Sequence, residues 1–372
     1  MDQLQLLIKP VSAACNLRCR YCFYLDESKY WKNTDFGMMD LETAGCLIRR
    51  ALEEAEECTF AFQGGEPMLA GLSFFRFFTE KAEEYRKPGQ RVFYTLQTNG
   101  TLLTKEWVEF FKKWRFLLGV SLDGTRKLHD ENRTDASGNG SFSGVFKGIR
   151  LLQEAAVPFH ILCVLTNDHA ERIQSIYRFF QNKGLQRQQY IPCLDPIDAK
   201  RGKMSYSLTG EKYAQALKTL FDLWYADVLG GNPVYIRQFD NYLSMLLGGQ
   251  PEACTMYGRC TMQNIVEADG SVYPCDFYVQ EKYCVGNVKE DSFLDLAKKA
   301  QGSSFFEKAE KRDIRCGDCR WYPLCRGGCR RDCDEMADGS FRNYYCEAYQ
   351  EFFGYAIRRM EMLAARIERR QF

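Results

Sequence analysis

The residues best suited to chemistry are Cys15, Cys19 and Cys22, a CxxxCxxC run with Tyr21 just before the last thiol. A [4Fe–4S] cluster presents four irons, and ferredoxins normally cap each with a thiolate. This run supplies three, and the next cysteine, Cys46, lies a helix's length away. One iron is then left without a protein thiolate, and an open position on a metal centre points to reactivity rather than to structure alone. A zinc site completed by a distant His or Cys is the competing reading. A second cysteine field comprises Cys254, Cys260, Cys275, Cys316, Cys319, Cys325, Cys329 and Cys346. Eight thiolates suffice to cap two further clusters, and two zinc ribbons are the alternative.

Seventeen cysteines in 372 residues also bear on compartment. A secreted disulfide protein this rich in cysteine is usually short and carries a signal peptide. Ser12-Ala13-Ala14-Cys15 has the look of a lipoprotein cleavage site. However, Asp2 is acidic, and the apolar run from Leu6 to Ile8 is stopped by Lys9 and Pro10. A signal peptide needs a basic start and an apolar core of about 7–15 residues. The expectation is a cytoplasmic protein whose thiols stay reduced for metal. A net charge of +1 leaves no basic surplus for nucleic acid. No apolar run approaches the ~18 residues of a membrane span.

Strand and helix patterns alternate six times before residue 194. Strands are expected at 4–9, 59–63, 91–98, 116–122, 158–166 and 188–193. Helices are expected at 40–57, through a Phe-rich stretch to Tyr85, and at 105–114, 144–156 and 168–183. The strands are continuous apolar runs, as buried parallel strands are. The class is α/β, and either a β/α barrel or a doubly wound sheet satisfies the pattern. In both, sites gather at the C-terminal ends of the strands. The cysteine loop, the turn Gln63-Gly64-Gly65-Glu66-Pro67, Asn99 and Ser121 all fall there. The two glycines would let backbone approach a ligand, and Glu66 could hold an ammonium group; an ordinary turn is the alternative. A helix over 209–229 opens on Thr209 and closes at Gly230, Gly231, Asn232 and Pro233. Beyond residue 250 long strands stop and cysteines crowd. The division expected is 1–235, 236–349 and a C-terminal helix over 350–372.

CxxxCxxC with Gly64-Gly65-Glu66-Pro67 resembles the radical S-adenosylmethionine (SAM) enzymes, and the cysteine ladder of residues 250–349 resembles their SPASM extension. Together with Phe23, Tyr24, Leu96-Gln97-Thr98-Asn99-Gly100 and Tyr273-Pro274-Cys275-Asp276-Phe277-Tyr278, the chain resembles the anaerobic sulfatase-maturating enzymes. The resemblance implies a partial (β/α)6 TIM-like barrel followed by a Cys-rich domain with two auxiliary clusters, three [4Fe–4S] clusters in all. Cys15, Cys19 and Cys22 would hold the SAM-cleaving cluster. Cys254, Cys260, Cys275 and Cys329 would hold one auxiliary cluster, and Cys316, Cys319, Cys325 and Cys346 the other. Gly64, Gly65, Glu66, Asn99, Ser121 and Arg133 would face SAM, with a solvated loop arginine as the alternative for Arg133. Tyr24 and Gln63 would lie by the substrate peptide. Asp276, fixed by its neighbouring ligand, would be the base, the alternative being a solvated carboxylate.

The implied reaction is oxidation of a Cys or Ser side chain in a sulfatase to Cα-formylglycine. The radical formed from SAM takes a hydrogen atom from Cβ. A low-potential donor such as flavodoxin or ferredoxin, and a monomer, complete the expectation. The rival activity is maturation of a ribosomally made peptide by thioether or carbon–carbon crosslinks. An electron carrier without SAM chemistry would not need an open iron or the glycine turn. Cys284 departs from the family pattern, and Cys333 lies close enough to the ladder to rival its ligands. Changing Cys15, Cys19 and Cys22 together to Ala should remove about a third of the iron and all SAM cleavage. Iron analysis that finds all of it lost, or none, contradicts the assignment.

Overall fold

In chain order the structure begins with β1 (Gln3–Ile8), the short helix α1 (Phe23–Glu27), α2 (Leu41–Glu54), β2 (Glu57–Phe62) and α3 (Gly71–Tyr85). There follow β3 (Arg91–Thr98), α4 (Lys105–Lys113), β4 (Leu117–Ser121), α5 (Arg126–Asn132), α6 (Phe142–Glu154) and β5 (Phe159–Leu165). Next come α7 (Asn167–Glu171), α8 (Ile173–Asn182), β6 (Arg187–Pro192), α9 (Gly210–Leu229), β7 (Tyr235–Ile236) and α10 (Arg237–Leu246). The Cys-rich part adds β8 (Ile265–Val266), β9 (Ser271–Tyr273), β10 (Gly286–Asn287), α11 (Phe293–Gln301), α12 (Ser304–Ala309), α13 (Tyr322–Cys325), β11 (Cys333–Glu335), β12 (Phe341–Asn343) and α14 (Cys346–Gln371). This computed structural model describes residues 1–30, 36–232, 234–309 and 311–371. Pro233 and Phe372, which close two of the expected helices, lie outside the described residues.

The chain divides into two compact units. One is Met1–Leu122, His129–Phe159 and Met262–Phe306; the other is Asp123–Leu128, His160–Thr261 and Glu307–Phe372. These spatial units cut across the linear division suggested by the cysteine pattern. In the first, β1, β2, β3 and β4 pair in parallel and in sequence order. In the second, β5, β6 and β7 do the same. Neither run reverses its order, as a doubly wound sheet does at its switch point, so the pattern is that of successive β/α units.

The core of the first unit is aromatic. Phe62 meets Phe78 with ring centroids 5.0 Å apart and Phe75 at 4.9 Å, edge-on as ring quadrupoles favour. The expectation of strands covered on both faces holds in part. Leu4, Leu6 and Ile8 of β1 are buried, whereas Gln3 and Gln5 alternate with them on an exposed face. A single helix expected over 168–183 is two, α7 and α8, broken at Arg172 (φ −110°, ψ 16°). In the second unit α9 starts where Thr209 caps Lys212 N–H, and the terminal helix begins at Cys346 itself.

The feature that carries the site is an addition to the parallel order. The two-residue strand β8 pairs in parallel with β1, Leu7 against Ile265 and Ile8 against Val266. β9 and β10 then pair antiparallel. Ile265, Tyr273 and Val279 form a small core against Leu7 and Ala13. The turn that closes β9 thus packs beside the start of the cysteine loop.

The glycine turn after β2 docks on that same loop. Gly65 N–H donates to Ser12 O (2.8 Å) and Glu66 N–H to Ala14 O (2.8 Å). A Cβ on Gly65 would sit 2.0 Å from Ala14 O, and one on Gly64, where φ is +118°, 2.6 Å from Ser12 O. Both glycines thus closely approach the protein's own backbone. Gly65→Ala should lower stability by about 1–3 kcal/mol through overpacking and reduce iron retention. Anaerobic melting with iron analysis tests this, and wild-type values for both would contradict it.

Candidate active site

The cysteine loop leaves the C-terminal end of β1 and is held from two sides. The glycine turn takes one. On the other, Arg18 N–H donates to Thr134 O (2.7 Å) and Arg20 N–H to Asn132 O (3.0 Å). Asn99, just past β3, crosses to it as well, its amide donating to Asn16 Oδ1 (2.8 Å) and reaching Cys15 Sγ (3.8 Å). Leu17 N–H points at Cys15 Sγ (3.3 Å), and Arg133 Nη1 reaches Cys19 Sγ (3.9 Å). Cys22 caps α1. Burial raises the Cys22 thiol, with the N–H groups of Leu25 and Tyr24 opposing. Burial likewise raises Cys15, against Leu17 N–H. Three half-buried sulfurs with N–H donors aimed at them are the donor set and outer shell that a cluster of thiolates needs. Binding metal releases their protons.

Glu66 is fully buried. Its Oε1 accepts from Thr98 Oγ1 (2.9 Å) and Met68 N–H (3.1 Å), and its Oε2 from Asn99 N–H (2.7 Å). Burial pushes its carboxyl up to about 7, with those donors pulling the other way. The side chain ties the glycine turn to the end of β3. Arg133 is buried, with its guanidinium 5.4 Å from the Tyr21 ring centre, so it is not a solvated loop arginine. Ser121 ends β4 and is half-buried.

The β8–β9 addition brings Asp276 to the end of β1. Asp276 is buried, with 11% of its side chain exposed. Its Oδ2 accepts from the Tyr24 hydroxyl (2.7 Å) and from Gln63 Nε2 (3.0 Å), and Gln63 Nε2 also donates to the Tyr24 oxygen (2.6 Å). Its Oδ1 lies 2.9 Å from Lys9 Nζ. Lys9 is fully buried. It also meets Glu267 at 3.0 Å and Glu27 at 3.9 Å, and it sits 4.9 Å from the Tyr24 ring centre. Burial pulls the lysine down, but the charges of Asp276, Glu267 and Glu27 outweigh it and hold the ammonium well above its ordinary range. Burial raises Glu27 strongly and Glu267 as well, against the attraction of Lys9. Tyr24 is held well above the usual phenol range by burial and then by the Asp276 charge, so it donates as a neutral hydroxyl.

Tyr24, Gln63 and Asp276 are thus brought into one hydrogen-bonded set. Lys9, Glu27 and Glu267 were missed by sequence reasoning. A lysine directly after an apolar strand reads as its terminator, and only a charged residue too close to an apolar run could have hinted at a buried partner. In the second unit the Cys325 thiol is pushed up to about 12 by burial, with smaller contributions from the charges of Cys346, Cys316 and Cys319. Cys260 in turn feels Cys254. Cys329 Sγ accepts from Arg331 N–H at 3.3 Å. Cys333 points its thiol at the Cys329 carbonyl (3.2 Å), and burial pushes it up to about 12. Cys284 is exposed and Cys163 is buried in its strand.

Comparison with known proteins agrees with this geometry. Residues 10–180 match the model of the radical SAM superfamily, and residues 254–329 that of an iron–sulfur cluster-binding domain, SPASM. A cysteine-type anaerobic sulfatase-maturating enzyme of Clostridium novyi is 43% identical over 373 residues, covering 100% of both chains. A serine-type enzyme of Bacteroides thetaiotaomicron is 30% identical over 99% of this chain and 93% of its own. A solved structure described as native anSMEcpe with bound AdoMet and Kp18Cys peptide superposes with a TM-score of 0.92 at 42% identity, covering 98% of this chain and 99% of the other. The chain belongs to the family of anaerobic sulfatase-maturating enzymes, radical SAM proteins with a C-terminal SPASM region.

Proposed function

We propose that this chain oxidises a cysteine side chain in a sulfatase polypeptide to Cα-formylglycine. The observation that carries the reading is Asp276. It is a carboxylate held between Lys9 on one oxygen and Tyr24 and Gln63 on the other, one residue beyond Cys275. Cysteine is favoured over serine because the cysteine-type relative shares 43% of its residues and the serine-type relative 30%. When bound, SAM and the clusters supply a 5′-deoxyadenosyl radical that takes hydrogen from the substrate Cβ, and an acceptor for the remaining electron.

The chain's own residues do the rest. Cys15, Cys19 and Cys22 would hold the reactive cluster, with Asn99 and Arg133 bracketing its thiolates. Gly64, Gly65, Glu66, Asn99, Ser121 and Arg133 would face SAM; the three donors already on the Glu66 carboxylate leave one of its about four lone-pair positions open. Cys254, Cys260, Cys275 and Cys329, and Cys316, Cys319, Cys325 and Cys346, would each hold an auxiliary cluster. Asp276 takes the proton of the substrate thiol; loss of the hydrogen atom, this proton and the electron leaves a thioaldehyde, which water hydrolyses to the aldehyde with release of hydrogen sulfide. A carboxylate has about four lone-pair positions, so the donors on Asp276 leave room for it. Tyr24 and Gln63 fix the face it presents. A flavodoxin- or ferredoxin-like donor, a monomeric enzyme and a cytoplasmic location belong to the same proposal. Among the described residues no helix is long and apolar enough to cross a membrane.

Incubation without oxygen, with SAM, a reductant and a Cys-x-Pro-x-Arg peptide, should replace the cysteine CH2–SH by an aldehyde, visible by mass spectrometry. A crosslinked product would favour the peptide-maturase reading instead. Asp276→Asn is nearly isosteric but cannot accept the proton, so formylglycine should fall by the ~10²–10⁴ expected of a lost general base. Deoxyadenosine should continue to form. Wild-type aldehyde yield would move the base elsewhere, and loss of deoxyadenosine as well would make Asp276 a residue of the fold.

A further inference from the structure

Buried polar atoms without a hydrogen-bond partner among the described residues concentrate beside Asp276: Lys9 Nζ, Glu27 Oε2, both carboxylate oxygens of Glu267 and Asp276 Oδ1. They form ion pairs with one another, at 2.9 Å, 3.0 Å and 3.9 Å from the lysine. A buried ammonium is tolerated only where such partners surround it. This one is too deep to touch a substrate, with no exposed surface. Its backbone is equally fixed. Lys9 N–H donates to Val266 O (2.9 Å) and Lys9 O accepts from Ser12 N–H (3.2 Å). The same residue therefore ends β1, starts the cysteine loop and receives the strand that leads to Asp276. Glu267 directly follows that strand, and Asp276 closes the turn after β9.

Resting on the function proposed above, we infer that Lys9, braced by Glu267, is a positioning residue for the oxidation. It grips Asp276 by Oδ1, so that Oδ2, the oxygen shared with Tyr24 and Gln63, faces the substrate side chain. The grip runs through one carboxylate, so it predicts a specific pattern of non-additivity. Lys9→Met should lower the rate of formylglycine formation about 10- to 100-fold, the cost of misplacing a catalytic group by about an ångström. The peptide KM should hold and deoxyadenosine per aldehyde should rise. In an Asp276→Asn background the same change should cost no more than about twofold, because the residue it acts through is already disabled. Where Lys9→Met alone fails to retain iron, Lys9→Met with Glu267→Gln removes the cation and a facing carboxylate together, and should show the same uncoupling. Independent losses that multiply in the double variant, or wild-type aldehyde yield from Lys9→Met, would overturn the inference while leaving Asp276 as the base. Loss of iron in both lysine variants would make Lys9 a residue of the fold and overturn it too. Full activity of Asp276→Asn would sink the base and this inference together.

Discussion

The site depends on one buried cation. A lysine ammonium withdrawn wholly from water is expensive unless oxygen anions replace its hydration. At the end of β1 three carboxylates do so, from α1, from the residue after β8 and from the turn after β9. Lys9 and Glu27 lie near the start of the sequence, more than 230 residues before Glu267 and Asp276. The pairing of β8 with β1 gathers them. Removing one partner from such a group typically costs 3–5 kcal/mol, so the geometry that presents Asp276 is also one the fold is bound to keep. Burial raises the two glutamates, which lessens the excess of negative charge that three ionised carboxylates would place around one ammonium.

Glu66 repeats the logic with backbone donors in place of a cation. Its carboxylate is out of water and satisfied by Met68, Thr98 and Asn99. It thereby fastens the ends of β2 and β3 together, and Asn99 passes that order on to Cys15 and Asn16. Gly64 and Gly65 complete the arrangement because a side chain at either place would strike the cysteine loop. Much of what marks this rim in sequence thus serves to hold three loops in register at the C-terminal ends of parallel strands, where such folds place their chemistry.

Much of this was legible in the sequence. The expected strand over 91–98 is β3 without change. The other long strands fall within one or two residues of expectation, because their length and the turn residues that bound them can be read locally. Tyr24, Gln63 and Asp276 were singled out through resemblance, and they do meet. What was not legible shares a cause. β8, β9 and β10 span two or three residues each, too few for any periodicity, and their pairing with β1 is set by contacts made in three dimensions. Lys9 looked like a strand stop because nothing local shows that carboxylates arrive from far along the chain. The break at Arg172 has no Gly or Pro to announce it. That Gly64 and Gly65 also meet the backbone of the cysteine loop was not legible, since sequence cannot tell which backbone comes close.

The central claim is that this rim presents a substrate cysteine to hydrogen abstraction at Cβ. The most direct measurement supplies the enzyme, under strict exclusion of oxygen, with SAM, a reductant and a sulfatase peptide whose target cysteine carries deuterium at Cβ. Mass spectrometry then follows both products. The account predicts 5′-deoxyadenosine that gains deuterium in step with formylglycine. Unlabelled deoxyadenosine accompanying the aldehyde, or label transfer without any aldehyde, would contradict it.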